Sequence, residues 1–373
     1  MNAPGSVAAL DCFLVADDLT GACDAAVHFA MRGYRTSVPI AAGAELANAS
    51  VIAISTESRD IEPAAIRSAI SAAAASLTRS PRILFKKIDS TLRGHAGVEI
   101  AAAIDAFGCH AAVVCPAFPR MNRIVNGGYL RVAGAADFEP IDVAAYLRAQ
   151  GVDRCVHIRP EAILEAISSG ARMVVLDSVC DRDLDRIAAA VPSLDPRILW
   201  AGSAGLASAL ARTLPAKPQP RPHSAPEGPV LFAIGSDHRA TVAQQAALVN
   251  RRRALLLQPE QTKAEWIHAA LGRGQHVVLR IPRGRISVER LEELVTGAPA
   301  SAVVLSGGDT ASLFCRAARV ERVDLFEEIV PGVPCGAIRG GAFDGISAVT
   351  KSGGFGDADA LIEVADYFTC PNR

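Results

Sequence analysis

The chain has 373 residues, half of them hydrophobic and only 5% aromatic, with a formal net charge of −1. That length accommodates two domains of ordinary size, with cores built from Ala, Val, Leu and Ile. The near-neutral balance, in which Arg251, Arg252 and Arg253 form the longest cationic run, excludes a phosphate-backbone footprint and therefore nucleic acid as a partner.

The first ten residues, MNAPGSVAAL, lack the basic start of a signal peptide. No run of about 18 apolar residues follows anywhere, so no membrane span and a cytoplasmic location are expected. A first strand is predicted over Leu10–Ala16, ending in VADDLTGACDAA. Asp17 and Asp18 stand where that strand hands over to a helix, with Thr20 and Gly21 in the turn. Either carboxylate can cap the helix. Two side by side also suit a general base or a group that orients a hydroxyl.

A second strand, Val51–Ser55, precedes the Ala-rich helix PAAIRSAISAAAASL. The third, Ile83–Lys87, runs into FKKIDSTLRGHAG. If the sheet is parallel, this polar cluster shares a rim with Asp17 and Asp18. Arg93 can clamp a carboxylate or phosphate through two parallel bonds, and Lys87 supplies a point charge. Asp89, Ser90 and Thr91 suit hydroxyl groups. A small polyhydroxylated acid uses both kinds. Further strands are predicted at Ala111–Cys115, Met173–Asp177 and Ile198–Ala201. The segment CPAFPRMNRIVNGGYL, after Ala111–Cys115, is read either as a proline-bent surface loop or as part of the same rim.

Nine cysteines without a CxxC pair imply neither a disulfide framework nor a zinc site. Six of the fifteen residues from Pro215 to Pro229 are proline, which marks a semi-extended linker between residues 1–214 and 230–373. The alternation of strand and helix then restarts: a strand at Val230–Ile234, a helix near Thr241–Val249, a strand at His276–Ile281, a helix at Val288–Val295 and a strand at Ala302–Ser306. The expected fold is α/β, two domains, each a mainly parallel sheet covered by helices, with a ligand cleft between them.

Three strand ends of the second half carry small residues. VVLSGGDTASLF places Gly307 and Gly308 in a strand-to-helix turn and Asp309 and Thr310 at the helix start. Such a turn lets backbone N–H groups approach phosphate; Asp309 would cap the helix or help hold Mg²⁺. VTKSGGFGDADAL supplies Gly353, Gly354 and Gly356 after Lys351. AIGSDHRATVAQQ ends a strand at Gly235 and Ser236. Neither a P-loop nor a dinucleotide fingerprint is present. His95 and His238 stand at helix starts beside these segments, as solvent-facing residues or as direct participants.

The set VADDLTGA, KKIDSTLRG, CPAFP, WAGSAGLASAL, LSGGDT and VTKSGGFG resembles the four-carbon acid sugar kinases, two-domain enzymes that phosphorylate threonate, erythronate or 3-oxo-tetronates with ATP. The resemblance implies that the N-terminal domain, with Asp17, Asp18, Lys87, Asp89, Ser90 and Arg93, holds the acid. It implies that the C-terminal domain, with Ser236, Gly307, Gly308, Asp309, Thr310, Gly353, Gly354 and Gly356, holds ATP with Mg²⁺. One of Asp17 and Asp18 would orient or deprotonate a terminal hydroxyl, and the domains would close to exclude water. An NAD(P)-dependent hydroxy-acid dehydrogenase and a non-catalytic sugar-acid-binding protein are the alternatives. The apolar composition permits a homodimer.

Overall fold

A computed structural model of the protein describes residues 10–369 other than 42, 45, 47, 136, 191–196 and 219–226. The fold divides into two compact units. The first takes the described residues of 1–17, 34–36 and 47–217; the second takes those of 18–33, 37–46 and 218–373.

In the first unit seven strands lie parallel, in the order Val51–Ser55, Leu10–Ala16, Pro81–Lys87, Ile198–Gly202, Ala111–Cys115, Met173–Leu176, Cys155–Ile158. Every residue of Leu10–Ala16, Ala111–Cys115 and Ile198–Gly202 is buried, as expected of strands covered on both faces. The helix Pro63–Ala75 starts on proline and buries Ile66, Ile70 and Ala73, the 3.6-residue stripe that faces the core. Register aligns the carboxyl ends: Ser55 pairs with Ala16, Ala16 with Lys87, Lys87 with Gly202, and Gly202 with Cys115. A Cβ on Gly202 would lie 2.3 Å from the Cys115 carbonyl oxygen, so only glycine fits this level edge.

The segment CPAFPRMNRIVNGGYL forms a 3-10 turn, Pro119–Met121, and a hairpin. Arg123–Asn126 pairs antiparallel with Tyr129–Val132, which also pairs with Ile141–Asp142. Gly127 and Gly128 take φ of 61° and 81° in its two-residue turn, the requirement of a tight hairpin connection. The surface-loop expectation therefore gives way to a small separate sheet. The Asp177 carboxylate fastens its tip by accepting both glycine N–H groups at 2.9 and 2.8 Å.

The second unit orders its strands Leu255–Leu257, Val277–Arg280, Val230–Ile234, Ala302–Ser306, Ser347–Lys351, Val333–Arg339, Arg322–Val330. The first five are parallel, and the last two form an antiparallel ribbon that continues the sheet. Phe232, Val278, Val304, Val349, Leu361 and Phe368 are among the residues of its core. Here too the carboxyl ends are level, Arg280 with Ile234, Ile234 with Ser306, and Ser306 with Lys351.

An excursion absent from the expected 1–214 and 230–373 division supplies this unit with the helix Leu19–Ala30. That helix is buried along its whole length and packs on the ribbon, on Ser347–Lys351 and on the helix Gly308–Ala317. Of the expected linker, residues 219–226 lie outside the described residues. Its start is tied to the first unit: Tyr34 Oη donates to the Pro215 carbonyl at 2.7 Å, and Lys217 pairs with Asp11 at 2.8 Å. Among the described residues, no helix is long and apolar enough to cross a membrane.

Candidate active site

The level strand edge of the first unit gathers a charged network. Asp17, buried at the end of Leu10–Ala16, accepts a hydrogen bond from Arg59 Nε at 2.7 Å. Arg59 follows the adjacent strand Val51–Ser55, and its Nη2 lies 3.8 Å from Asp89 Oδ2. Asp89, in turn, accepts from Thr91 N and Oγ1 at 2.9 and 2.5 Å and from Arg93 Nε and Nη2 at 3.1 and 2.5 Å. Leu92 and Gly94 take φ of 59° and 85° in this turn. Tyr146 Oη bonds both their carbonyls, at 2.6 and 2.8 Å.

Electrostatics keep both carboxylates ionised. Burial pushes the Asp17 carboxyl up, but Arg59, Lys86 and Lys87 together hold it below the usual carboxylate range. Asp89 is likewise burdened by burial and drawn well below that range by Arg93, Arg59 and Thr91. Five donors already occupy the Asp89 oxygens, the fifth being the Arg93 backbone N–H at 3.3 Å. It therefore sets the posture of the two guanidinium groups, and Arg93, 61% exposed in its side chain, carries the network to solvent.

Lys86 and Lys87 differ in role. Lys86 is fully buried, paired with Glu99 at 2.9 Å and bonded to the Lys87 carbonyl at 2.8 Å. Glu99 also accepts from Ser58 Oγ at 2.5 Å, and Ser58 N donates to the Asp17 carbonyl at 2.9 Å. This pair braces the loop that presents Arg59. Lys87 Nζ rests on the Ile88 carbonyl at 3.0 Å. Ser90 is buried beside them. Arg59 is the residue that sequence reasoning missed. Its signal is the polar run STESRD at the end of Val51–Ser55, which matches KKIDST in kind and in position along its strand.

Asp18 serves the second unit. It caps the helix Leu19–Ala30, accepting from Gly21 N at 2.7 Å and Thr20 Oγ1 at 3.0 Å. A Cβ on Gly308 would lie 2.5 Å from Asp18 Oδ2, so the carboxylate also rests on the first turn of Gly308–Ala317. Two helix N-termini stabilise the one negative charge.

Around that turn the three small-residue strand ends converge. Gly307 adopts φ 104° and ψ 136°, which glycine alone tolerates. An added Cβ on Gly307 would meet Ser236 N at 3.4 Å; one on Gly235 would meet Thr310 Oγ1 at 1.8 Å, and one on Gly353 Ser236 Oγ at 2.1 Å. Ser236, Gly307, Gly308, Thr310 and Gly353 thus lie together. Gly354 and Gly356 continue the loop, whose main chain is anchored from beneath: Gln244 Nε2 donates to the carbonyls of Phe355, Gly356 and Asp357. Asp309 points outward, 61% exposed in its side chain and paired with Arg283 at 2.8 Å.

His238 Nδ1 accepts from Ala240 N at 3.2 Å as the cap of Arg239–Arg252. His95 occupies the cap position of Ala96–Ala106 without a capping bond from its side chain. Among the described residues no group of three or more His, Cys, Asp or Glu is placed to hold a metal ion. Mg²⁺ beside a nucleotide is held through one or two carboxylates, phosphates and water rather than a protein cage, a requirement the exposed Asp309 carboxylate would meet only by leaving Arg283.

Residues 12–210 match the protein-family model described as a sugar-binding N-terminal domain, and residues 231–361 match that of a nucleotide-binding C-terminal domain. A crystal structure from Salmonella typhimurium LT2 shares the fold, with a TM-score of 0.76 at 21% identity, over 96% of this chain and 100% of that one. The chain thus combines a sugar-binding domain with a nucleotide-binding domain. It is 34% identical to the D-threonate kinase of Bordetella bronchiseptica, over 94% of this chain and 96% of that one. Identity to the D-erythronate kinase of Heliobacterium modesticaldum is 30%, over 95% and 96%. Identity to a 3-oxo-tetronate kinase of Cupriavidus necator is 27%, over 94% and 95%. The chain belongs to the four-carbon acid sugar kinase family.

Proposed function

We propose that the protein transfers the γ-phosphoryl group of ATP to a terminal hydroxyl of a four-carbon sugar acid: threonate, erythronate or a 3-oxo-tetronate. D-threonate heads the panel, since relatives bearing that activity in their names share 34% and 33% identity with the chain. One observation carries the reading. Asp17 and Asp18 are consecutive, yet Asp17 lies among the cations of the sugar-binding unit and Asp18 on the glycine turn of the nucleotide-binding unit.

In this reading Arg93 and Arg59, postured by Asp89, hold the substrate carboxylate, while Ser90 and Lys87 address its hydroxyls. Asp17 accepts a hydrogen bond from the attacking hydroxyl. Its depressed pKa makes it a weak base, which suits orientation better than early deprotonation. A loose phosphoryl-transfer transition state leaves the proton on the nucleophile until late. Glycine N–H groups at 307–308 and 353–356, with the helix start at Gly308, meet the phosphates, and Thr310 and Ser236 offer hydroxyl groups. Mg²⁺, with Asp309 as its protein ligand, would neutralise phosphate charge.

The test is coupled ADP release with Mg²⁺ over D- and L-threonate, D- and L-erythronate and the 3-oxo-tetronates. Turnover of one acid at tens of times the rate of its epimers is expected. If none is turned over and ATP does not bind, the kinase reading falls.

A further inference from the structure

Lys351 ends the strand Ser347–Lys351 and is fully buried. Its Nζ lies 3.0 Å from Thr241 Oγ1, 3.0 Å from the Ser352 carbonyl, 3.3 Å from that of Gly353 and 3.1 Å from that of Phe355. No carboxylate pairs with it among the described residues. An ammonium group buried without a countercharge is costly, and a methionine would fill the space without that cost. The three loop carbonyls explain the choice. In a trans peptide the C=O of one residue and the N–H of the next point in opposite directions. Carbonyls 352, 353 and 355 turned towards Nζ therefore send the N–H groups of Gly353, Gly354 and Gly356 away from it. Those are the three glycines of the loop. Hydrogen bonding to a cation also polarises each peptide and strengthens its N–H as a donor.

We propose that Lys351 is a positioning residue that shapes the 352–357 loop into an anion-binding surface, and that nucleotide binding there is coupled to proton uptake by its amine. The inference rests on the nucleotide reading of the second unit. Burial alone pushes the Lys351 amine from 10.5 down to about 7, so above neutral pH much of it is uncharged. Phosphates against the far side of the loop restore the ammonium form through their charge and through the carbonyls they polarise. The surrounding elements also carry His238, Arg239, Arg251 and Arg252, Asp18, Asp24 and His28, Asp309 and Arg316, and Asp357 and Asp359 with Glu363 and Asp366. None of them bonds to Nζ.

The experiment is calorimetric titration of the full chain with Mg²⁺-saturated ATP at pH 8, in phosphate-free buffers of different protonation enthalpy. The wild type should take up roughly 0.5 proton per nucleotide, and its affinity should fall by roughly threefold per pH unit above 7. Uptake should vanish at pH 6, where the amine is already charged. Lys351→Arg, which cannot titrate, should bind ATP with uptake near zero, and Lys351→Met should weaken binding at least about tenfold. Wild-type uptake that is near zero or flat from pH 6 to 9 overturns the proposal even if neither variant folds. Uptake in Lys351→Arg equal to that of the wild type overturns it also. A wild type that binds no nucleotide at any pH overturns instead the nucleotide reading on which the proposal rests.

Discussion

Replacing Arg59 by alanine should expose how much of the first unit depends on one unpredicted side chain. Asp17 is 2% exposed and its closest cationic partner is Arg59, 2.7 Å away. Removing one member of a buried pair leaves an uncompensated charge and costs about 3–5 kcal/mol. The Arg59 side chain is 19% exposed, and Lys86 and Lys87 remain near Asp17, so the lower end, about 3 kcal/mol, is expected. The sign of the pH dependence follows from linkage. A carboxylate with a depressed folded-state pKa stabilises the fold above its unfolded pKa and loses that contribution as pH falls through the depressed value. The difference between wild type and Arg59→Ala should therefore be largest near pH 7 and shrink below about pH 4. With burial opposed only by the two lysines, the Asp17 pKa rises in the variant. The acid limb of its pH–rate profile should move upward. Trp200, buried in the first unit, reports unfolding in urea once the exposed Trp266 of the second is changed to Phe. Arg59→Lys keeps the charge without the fork and should recover part of the loss. A loss below about 1 kcal/mol, with the acid limb unmoved, would refute the assignment of Arg59 as the partner that keeps Asp17 ionised.

Asp17→Asn should lower kcat by about 10²-fold or more while ATP affinity stays within a few-fold; activity close to wild type in the coupled assay would remove Asp17 from the chemistry. Gly308→Ala drives a methyl group into Asp18, 2.5 Å from Oδ2. It should cost about 1–3 kcal/mol and weaken ATP binding in calorimetry. Gly272→Ala, in a helix with nothing within 4 Å of the new Cβ, should be neutral or slightly stabilising in thermal melts. Lys86→Met strands the buried Glu99 and should destabilise the first unit by about 3–5 kcal/mol in urea, most of it recovered by adding Glu99→Leu. A double variant no more stable than the single one would show that the pair does more than neutralise itself.

Sequence reading worked best where a single period holds. The short, mainly apolar runs Leu10–Ala16, Ala111–Cys115 and Ala302–Ser306 read as doubly covered strands, and their bounds match the structure. Strand ends rich in Gly, Ser and Asp were legible for the same reason: they interrupt a periodic pattern at its carboxyl edge. Arg322–Val330 and Val333–Arg339 were harder. Glu327 and Glu328 stand between two register shifts, so apolar and polar residues do not alternate cleanly. The signal that survives is Pro331 followed by Gly332 at φ 75° in the two-residue connection, the residue pair of a type II turn. Arg59 stayed hidden because its run STESRD follows only a five-residue strand and reads as surface loop until Asp17 is seen against it.

The pair Asp17–Asp18 shows where one-dimensional reasoning breaks down. Adjacent carboxylates look repulsive in a sequence, as though both shared one surrounding. In the fold, Asp17 closes a strand, whereas Asp18, at φ −145° and ψ 163°, opens a helix, so the two side chains have separate surroundings. Asp17 is compensated by a guanidinium and two ammonium groups, Asp18 by the N–H groups of its own helix start. The helix that Asp18 opens is LTGACDAAVHFA, in which Thr20, Asp24 and His28 are buried along with the small and apolar residues. A helix buried on every face must be surrounded, and it is surrounded by the second unit rather than by the one its strand belongs to. Local propensity specifies that helix and its cap; nothing local specifies which core receives it. That choice is made by the ribbon and the strand Ser347–Lys351 some 300 residues away, and it places the capping carboxylate against Gly308.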